Sequence, residues 1–374
     1  MGARRQADGS APGSIVAAVI TSGFYAVVPA GGAGTRLWPL SRAGHPKFLH
    51  DLTGTGSTLV QSTWARLAPL AEAVLVVTGT AHAAAIARQL PDLPEGDLLV
   101  EPSPRDSTAA IGLAAALVLR RDPDAVIGSF AADHVIADPE AFRACVRAAV
   151  DVADDGYVVT IGIEPTHAAT GFGYIRVGER IGTGPAWAAE EFVEKPSAAT
   201  AAEYLATGQF RWNAGMFVVR ASVLLDLLAT WHPDLAAGVR EVAARPDALA
   251  ARWDTLEKIA IDHAVAEPAA AAGRVAVVPG TFGWDDVGDF HSLATLLPDT
   301  PGGLKVLGDE HLVEAVDTTG VVVPAAGRTV AVVGLTDVVV VDTGDALLVT
   351  TRQRAQDVKG IVDTLKATGR TRLT

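Results

Sequence analysis

Among 374 residues there is one cysteine, Cys145, so the chain can form no internal disulfide and offers no cysteine-based metal site. Cys145 shares a helical face with Phe142, Val146 and Ala149 and reads as a small core residue rather than a nucleophile. Runs of lysine or arginine are also missing. At a formal net charge of -13, a chain without a basic tract repels nucleic-acid phosphates, and polymeric nucleic acid is not expected as a partner. A small anion can still be held by a few placed cations. No stretch reaches the roughly 18 continuous apolar residues of a membrane span, so no membrane partner is expected. Nor is there a Ser-His-Asp or Cys-His arrangement that would suit nucleophilic catalysis.

What is present is a globular composition, 49% hydrophobic and 20% charged, on a chain long enough for two domains. Arg4 and Arg5 precede an uncharged stretch over residues 11–35 that superficially resembles an export signal. Its apolar run over 15–20 is short and interrupted, and it leads straight into a glycine-rich loop, so a cytoplasmic protein with a flexible extension over residues 1–23 is expected. Short apolar runs at 24–29, 74–78, 98–100, 126–130 and 157–161 read as buried strands. Between them, segments with helical spacing lie at 81–90, 108–121 and 140–152. This alternation predicts a Rossmann-like α/β domain over 24–297, a mostly parallel sheet with helices on both faces. Beyond it the alternation loosens, with strands expected at 173–177, 188–193 and 215–219. Over 298–374 dense valine-rich segments at 321–323, 330–333, 338–341 and 347–349, followed by a helix at 357–366, predict a small β-rich domain that would suit a β-helix or a sandwich.

The segment Pro29-Ala30-Gly31-Gly32-Ala33-Gly34-Thr35-Arg36-Leu37 follows the first strand directly. Glycines there let the backbone turn sharply and present successive N–H groups to an anion. The segment lacks the Gly-Lys-Ser/Thr ending of a Walker loop. It also fails the dinucleotide fingerprint, because Leu37 stands where the third glycine belongs and Pro39 interrupts the helix that should begin. A dehydrogenase reading would need Asp51 as its ribose acid. Arg36, Arg42 and Lys47 add three cations close to the loop, suited to a triphosphate.

The longer stretch GGAGTRLWPLSRAGHPKFL strongly resembles the N-terminal signature of the sugar-1-phosphate nucleotidylyltransferases, and Leu37-Trp38-Pro39-Leu40-Ser41 points to their mannose guanylyltransferase branch. Further matches occur in the family's order. Glu101-Pro102-Ser103-Pro104-Arg105-Asp106-Ser107 resembles the nucleotide-holding segment, with Asp106 where the family commonly has asparagine. Ala132-Asp133-His134, Gly171-Phe172-Gly173-Tyr174, Phe192-Val193-Glu194-Lys195-Pro196, Trp212-Asn213-Ala214-Gly215 and Gly283-Trp284-Asp285-Asp286-Val287-Gly288 follow.

The resemblance implies nucleotide binding by Ala30, Gly31, Gly32, Gly34, Thr35, Arg36, Glu101, Arg105, Asp106 and Asp133. It implies sugar-phosphate binding by Gly171, Gly173, Tyr174, Glu194, Lys195, Asn213 and Gly215, and catalysis by Arg36, Lys47 and Lys195. Mg²⁺ is implied at Asp133 and Asp286, with Asp285 a rival that the motif register disfavours. The substrates implied are GTP and mannose 1-phosphate, and the assembly a homodimer. Another nucleotide or sugar specificity, or a non-catalytic sugar-nucleotide-binding homologue, remain the alternatives. The resemblance continues to the helix starting near Arg354, and transferase activity alone is expected.

Overall fold

The computed structural model describes residues 21–32 and 34–374. The expected extension over residues 1–23 therefore falls outside the described residues up to residue 20. Of the three that are described, two are tied down: Thr21 N–H donates to the Leu70 carbonyl at 2.8 Å and Gly23 N–H to Glu72 at 2.8 Å.

Among the described residues, seventeen strands follow in chain order. In the first part they are β1 (Phe24–Ala30), β2 (Ala73–Gly79), β3 (Leu98–Glu101), β4 (Val126–Ser129), β5 (Val135–Ile136), β6 (Val158–Ile163), β7 (Gly173–Arg180), β8 (Trp187–Val193), β9 (Phe210–Arg220), β10 (Val275–Gly280) and β11 (Trp284–Asp285). Nine of these form one sheet in the order β3-β2-β1-β4-β9-β6-β10-β8-β7. Its pairings make β1, β2, β3, β4, β6, β7 and β10 point one way, with β8 and β9 running against them. The α/β class and the prevailing strand direction match expectation. The reversed strands account for the looser alternation after β6, because an antiparallel neighbour needs no crossover helix.

β1 shows why the strands read as continuous apolar runs. Phe24, Ala26, Val28 and Ala30 pack on one face of the sheet, Tyr25 and Val27 on the other, and all are buried. The face bearing Tyr25 is covered by the helices Asp106–Arg121, Ala221–Trp231 and Pro233–Ala244, the other by Leu59–Leu67 and Pro139–Asp154. Cys145 lies buried in the second layer, and burial pushes its thiol up to about 12, as befits a packing residue.

The remaining strands are β12 (Leu304–Val306), β13 (Val313–Val316), β14 (Gly320–Val323), β15 (Val330–Val333), β16 (Val338–Asp342) and β17 (Leu347–Thr351). β12, β14 and β16 stack in parallel, as do β13 and β15, so the chain coils in successive rungs as in a β-helix; β17 closes the stack antiparallel. The helix Val358–Ala367 then turns back onto the first domain. Leu37 and Trp38, just past the glycine loop, share a core with Val339, Val358, Val362 and Leu365. Trp38 Nε1 donates to the Leu373 carbonyl at 2.6 Å.

Candidate active site

The carboxyl ends of the parallel strands meet along one edge of the sheet, where open α/β folds hold ligands. β1 delivers the glycine loop to this edge, β3 the segment 102–105 and β4 the segment 130–134. A small two-stranded ladder completes it. β11 pairs with β5, Trp284 opposite Ile136 and Asp285 opposite Val135, which brings Asp286 beside Asp133 although about 150 residues separate them.

Lys47 occupies the centre. It is 5% exposed, its ammonium lies 2.7 Å from Asp133, and it donates to the Asp286 carbonyl. Burial would push Asp133 up, but the Lys47 charge and hydrogen bond hold it below the ordinary carboxylate range. Asp286 behaves oppositely. Burial lifts it to about 6, with the charges of Asp285 and Asp133 adding to the rise and that of Lys47 opposing it. Asp285 accepts from Val287 N–H at 2.7 Å, which ties it into a turn where Val287 takes a φ of 46°. A β-branched residue in that region is strained, a cost usually found at functional sites. Asp286, not Asp285, lines the cavity described next.

That cavity, of about 260 Å³, is bounded by Gly34, Thr35, Arg36, Lys47, Asp286 and Gly288, with Lys359 from the last helix as a seventh lining residue. Gly34 has to be glycine. Its φ is 62°, and a Cβ would come within 2.6 Å of Lys47 Cβ. Gly31 and Gly32 carry no such constraint, and a Cβ on Gly32 would meet nothing within 4 Å. Their missing side chains leave room for a ligand instead. Glu101 lies behind Gly31. Its Oε2 is buried with no partner, and burial alone raises the carboxyl to about 7.

A second group gathers at the ends of β6, β8 and β9. Glu194 meets Lys195 at 2.8 Å and keeps its Oε2 buried and unpartnered. A Cβ on Gly173 would lie 2.5 Å from that carboxylate, so glycine is what lets Glu194 sit there. The Lys195 ammonium is held above the usual lysine range by the Glu194 hydrogen bond, against the effect of burial, with the charges of Asp262 and Asp106 assisting. Asn213 accepts from Thr160 Oγ1 and Gly215 N–H, and donates to Asp262 at 2.8 Å. An aromatic chain joins the two groups: His134 against Trp284, Trp284 against Phe172, and Phe172 against Trp212, with ring centroids 5.1–5.4 Å apart. His134 accepts from Trp284 Nε1, and burial lowers its imidazole to about 4, so it is neutral near pH 7.

Several expected residues fall elsewhere. Arg42 does not face the cavity; its guanidinium grips Asp345 of the C-terminal domain through two bonds of 2.6 and 2.7 Å. Tyr174 is fully buried with its ring beside Tyr204, which makes its side chain a core group and not a sugar contact. Arg105 is ion-paired to Asp254 at 2.8 Å. Asp106 opens its helix at a φ of 63°, a conformation that asparagine and aspartate both tolerate. Asp51 accepts from the N–H groups of Thr53, Gly54, Thr55 and Gly56, which outweigh its burial and hold it low. It is committed to a turn and cannot serve a ribose.

Residues 25–301 match the Nucleotidyl transferase family, and residues 310–365 the MannoseP isomerase/GMP-like beta-helix domain. The chain belongs to the nucleotidyl transferase family. Among its relatives, the Xanthan biosynthesis protein XanB of Xanthomonas campestris pv. campestris is 40% identical over 93% of this chain and 74% of its own length. The mannose-1-phosphate guanylyltransferase of Escherichia coli K12 is 40% identical over 93% of this chain and 75% of its own. A solved structure from Thermus thermophilus, named a mannose-1-phosphate geranyltransferase, superposes with a TM-score of 0.82 at 36% identity, over 92% of this chain and 99% of that one. The protein is thus an enzyme, a nucleotidyltransferase with a C-terminal β-helix-like domain.

For this nucleotidyltransferase the sequence reading overlooked Asp262. It begins a π-helical turn (Asp262–Ala266), and burial together with the Glu194 charge raises it to about 6. A lone acid after an apolar stretch carries no motif. Lys359 was overlooked likewise, because nothing in its neighbourhood of the sequence relates it to the glycine loop. Among the described residues no helix is long and apolar enough to cross a membrane.

Proposed function

We propose that this nucleotidyltransferase is a mannose-1-phosphate guanylyltransferase, converting GTP and α-D-mannose 1-phosphate into GDP-mannose and pyrophosphate. The observation that carries the reading is the pair of separate cationic groups on one sheet edge, Arg36 and Lys47 at the glycine loop and Lys195 with Glu194 just past the end of β8. One suits a triphosphate and the other a phosphorylated sugar. Relatives named mannose-1-phosphate guanylyltransferase support the sugar and the base. So does Glu101. Guanine presents its N1–H and N2–H₂ donors side by side, and a buried carboxylate with an unpartnered oxygen is an acceptor for such an edge.

In this reading an oxygen of the sugar phosphate forms a bond to the α-phosphorus while the bond from that phosphorus to the bridging oxygen of the β-phosphate breaks, and pyrophosphate leaves. A phosphate monoester has a second pKa of about 6, so the nucleophile is already ionised near neutrality and no general base is required. That accords with a site whose histidine is neutral and engaged with Trp284. The chain's own work is to bind and orient. Lys195 holds the sugar phosphate, Glu194 and Asp262 accept from sugar hydroxyls, and Arg36 and Lys47 hold the triphosphate. Asn213 keeps a single N–H to spare, so we assign it to positioning Asp262.

Two carboxylates flanking Lys47, one lifted partly by the charge of the other, form a donor set that fits a hard cation completing its shell with substrate oxygens. Asp133 and Asp286 are the residues that would hold Mg²⁺. When bound, it would supply charge neutralisation on the phosphate oxygens. The assembly we propose is a homodimer, which sedimentation equilibrium would test. For the reaction, the test is product identity with GTP, ATP, UTP and dTTP, each offered mannose, glucose and N-acetylglucosamine 1-phosphates. GDP-mannose should dominate, and preference for UTP or dTTP would reject the assignment.

A further inference from the structure

Six residues around the 260 Å³ cavity belong to the glycine loop, Lys47 and the turn at 284–288. The seventh, Lys359, comes from the C-terminal domain. We propose that Lys359 binds the pyrophosphate portion of the nucleoside triphosphate, so that the β-helix-like domain completes the nucleotide site. The inference rests on the nucleotidyl-transfer reading above.

The charge distribution in the cavity is the first argument. Lys47 is committed to Asp133 and to the Asp286 carbonyl, and Asp286 adds a carboxylate to the wall. Among the described residues, Arg36 is then the one cation of the first domain that meets the triphosphate beside Lys47 without an acid partner of its own. Lys359 supplies a second uncommitted cation. It is exposed and makes no ion pair among the described residues, whereas the preceding cations Arg328, Arg352 and Arg354 are each paired, to Asp342, Asp337 and Asp357.

Direction is the second. For in-line attack the incoming oxygen and the leaving pyrophosphate lie on opposite sides of the α-phosphorus. None of the Glu194, Lys195, Asn213 and Asp262 group lines this cavity. It therefore lies off the sugar side, where the leaving group departs.

Placement is the third. Lys359 stands in the first turn of Val358–Ala367, and that helix is fixed to the loop by more than its own core contacts with Leu37 and Trp38. Arg42 grips Asp345, Trp38 donates to the Leu373 carbonyl, and Gln356 donates to Asp289, whose other oxygen caps the helix Phe290–Leu296 just past the metal-site turn. The lysine is thereby carried on a packed element and not on a loose tail. These ties also give Arg42 a purpose that its place beside the glycine loop did not suggest.

The test uses the full-length chain with Lys359→Met, which keeps an unbranched apolar side chain, and Lys359→Arg. Kinetics are measured in both directions, and pyrophosphate is titrated into each protein by calorimetry. A hydrogen bond to a charged group is worth about a tenfold to hundredfold change in binding. The Met variant should therefore raise the KM for pyrophosphate and for the triphosphate about tenfold or more. Its KM for the sugar 1-phosphate should stay within about twofold, and the Arg variant should stay within about threefold of wild type. Unchanged pyrophosphate and triphosphate constants in the Met variant would overturn the inference. A matching rise for the sugar phosphate would overturn it too, since that marks a structural role. Should wild type form no sugar nucleotide from any substrate pair, the reaction reading fails, and the pyrophosphate titration still decides on Lys359.

Discussion

The Glu101 carboxyl bears on stability and on the proposed preference for guanine, and pH separates the two. Burial raises it from 4.5 to about 7. Between those values the folded chain keeps a proton that the unfolded chain releases, so stability is complete below pH 4.5, declines as pH rises, and levels off above about 7. At about 1.4 kcal/mol per unit, the 2.5-unit rise corresponds to about 3 kcal/mol. Glu101→Gln removes this titration. Burying an amide has a cost of its own, but that cost does not vary with pH, and the difference between the two proteins isolates the ionisation. In urea unfolding followed by tryptophan fluorescence, the stability of Glu101→Gln relative to wild type should grow by about 3 kcal/mol from pH 4.5 to pH 8. A difference that stays flat would refute the assignment of Glu101 as a buried carboxyl without a partner. The same variant should bind GTP less tightly and lose preference for GTP over ATP, because one of the two acceptors becomes a donor.

Removing either acid proposed to hold Mg²⁺, as Asp286→Ala or Asp133→Ala, should nearly abolish turnover, which pyrophosphate release in the presence of magnesium would measure; normal rates for Asp286→Ala would reject its role. Lys195→Ala should raise the KM for the sugar 1-phosphate and leave that for GTP nearly unchanged, a split read from initial rates. Gly34→Ala forces a Cβ into a left-handed residue pressed against Lys47, and should cost about 1–2 kcal/mol by urea unfolding together with a fall in activity. Asp345→Ala should loosen the Arg42 grip and raise the KM for GTP, since the loop and the last helix are tied there.

The parts of the site that were legible in the sequence are those in which local backbone and chemistry coincide. β1 and its loop could be read because alternate residues are buried on both faces and glycine follows at the strand end. Asp286 could be read only through the resemblance of its turn to a family motif, since nothing in the local composition separates it from Asp285. Side-chain direction was not legible. Tyr174 sits in a motif expected to face the sugar, yet strand alternation turns its ring into the core, while Gly173 beside it makes room for Glu194. Arg42 lies in sequence among cations expected to face phosphate, and its partner Asp345 is brought near only by folding. Pro233 stands in the first turn of a helix, where a missing N–H is harmless. Asp262 and Lys359 reach the site wholly through tertiary packing, and no local pattern marks them.

The central claim, attack by the sugar phosphate on the α-phosphorus of GTP, is tested most directly by isotope tracing. Mannose 1-phosphate carrying ¹⁸O in all its phosphate oxygens is incubated with GTP, and both products are analysed by mass spectrometry. All of the label should stay in GDP-mannose, and the pyrophosphate should be unlabelled. Label in the pyrophosphate, or no GDP-mannose at all, would contradict it.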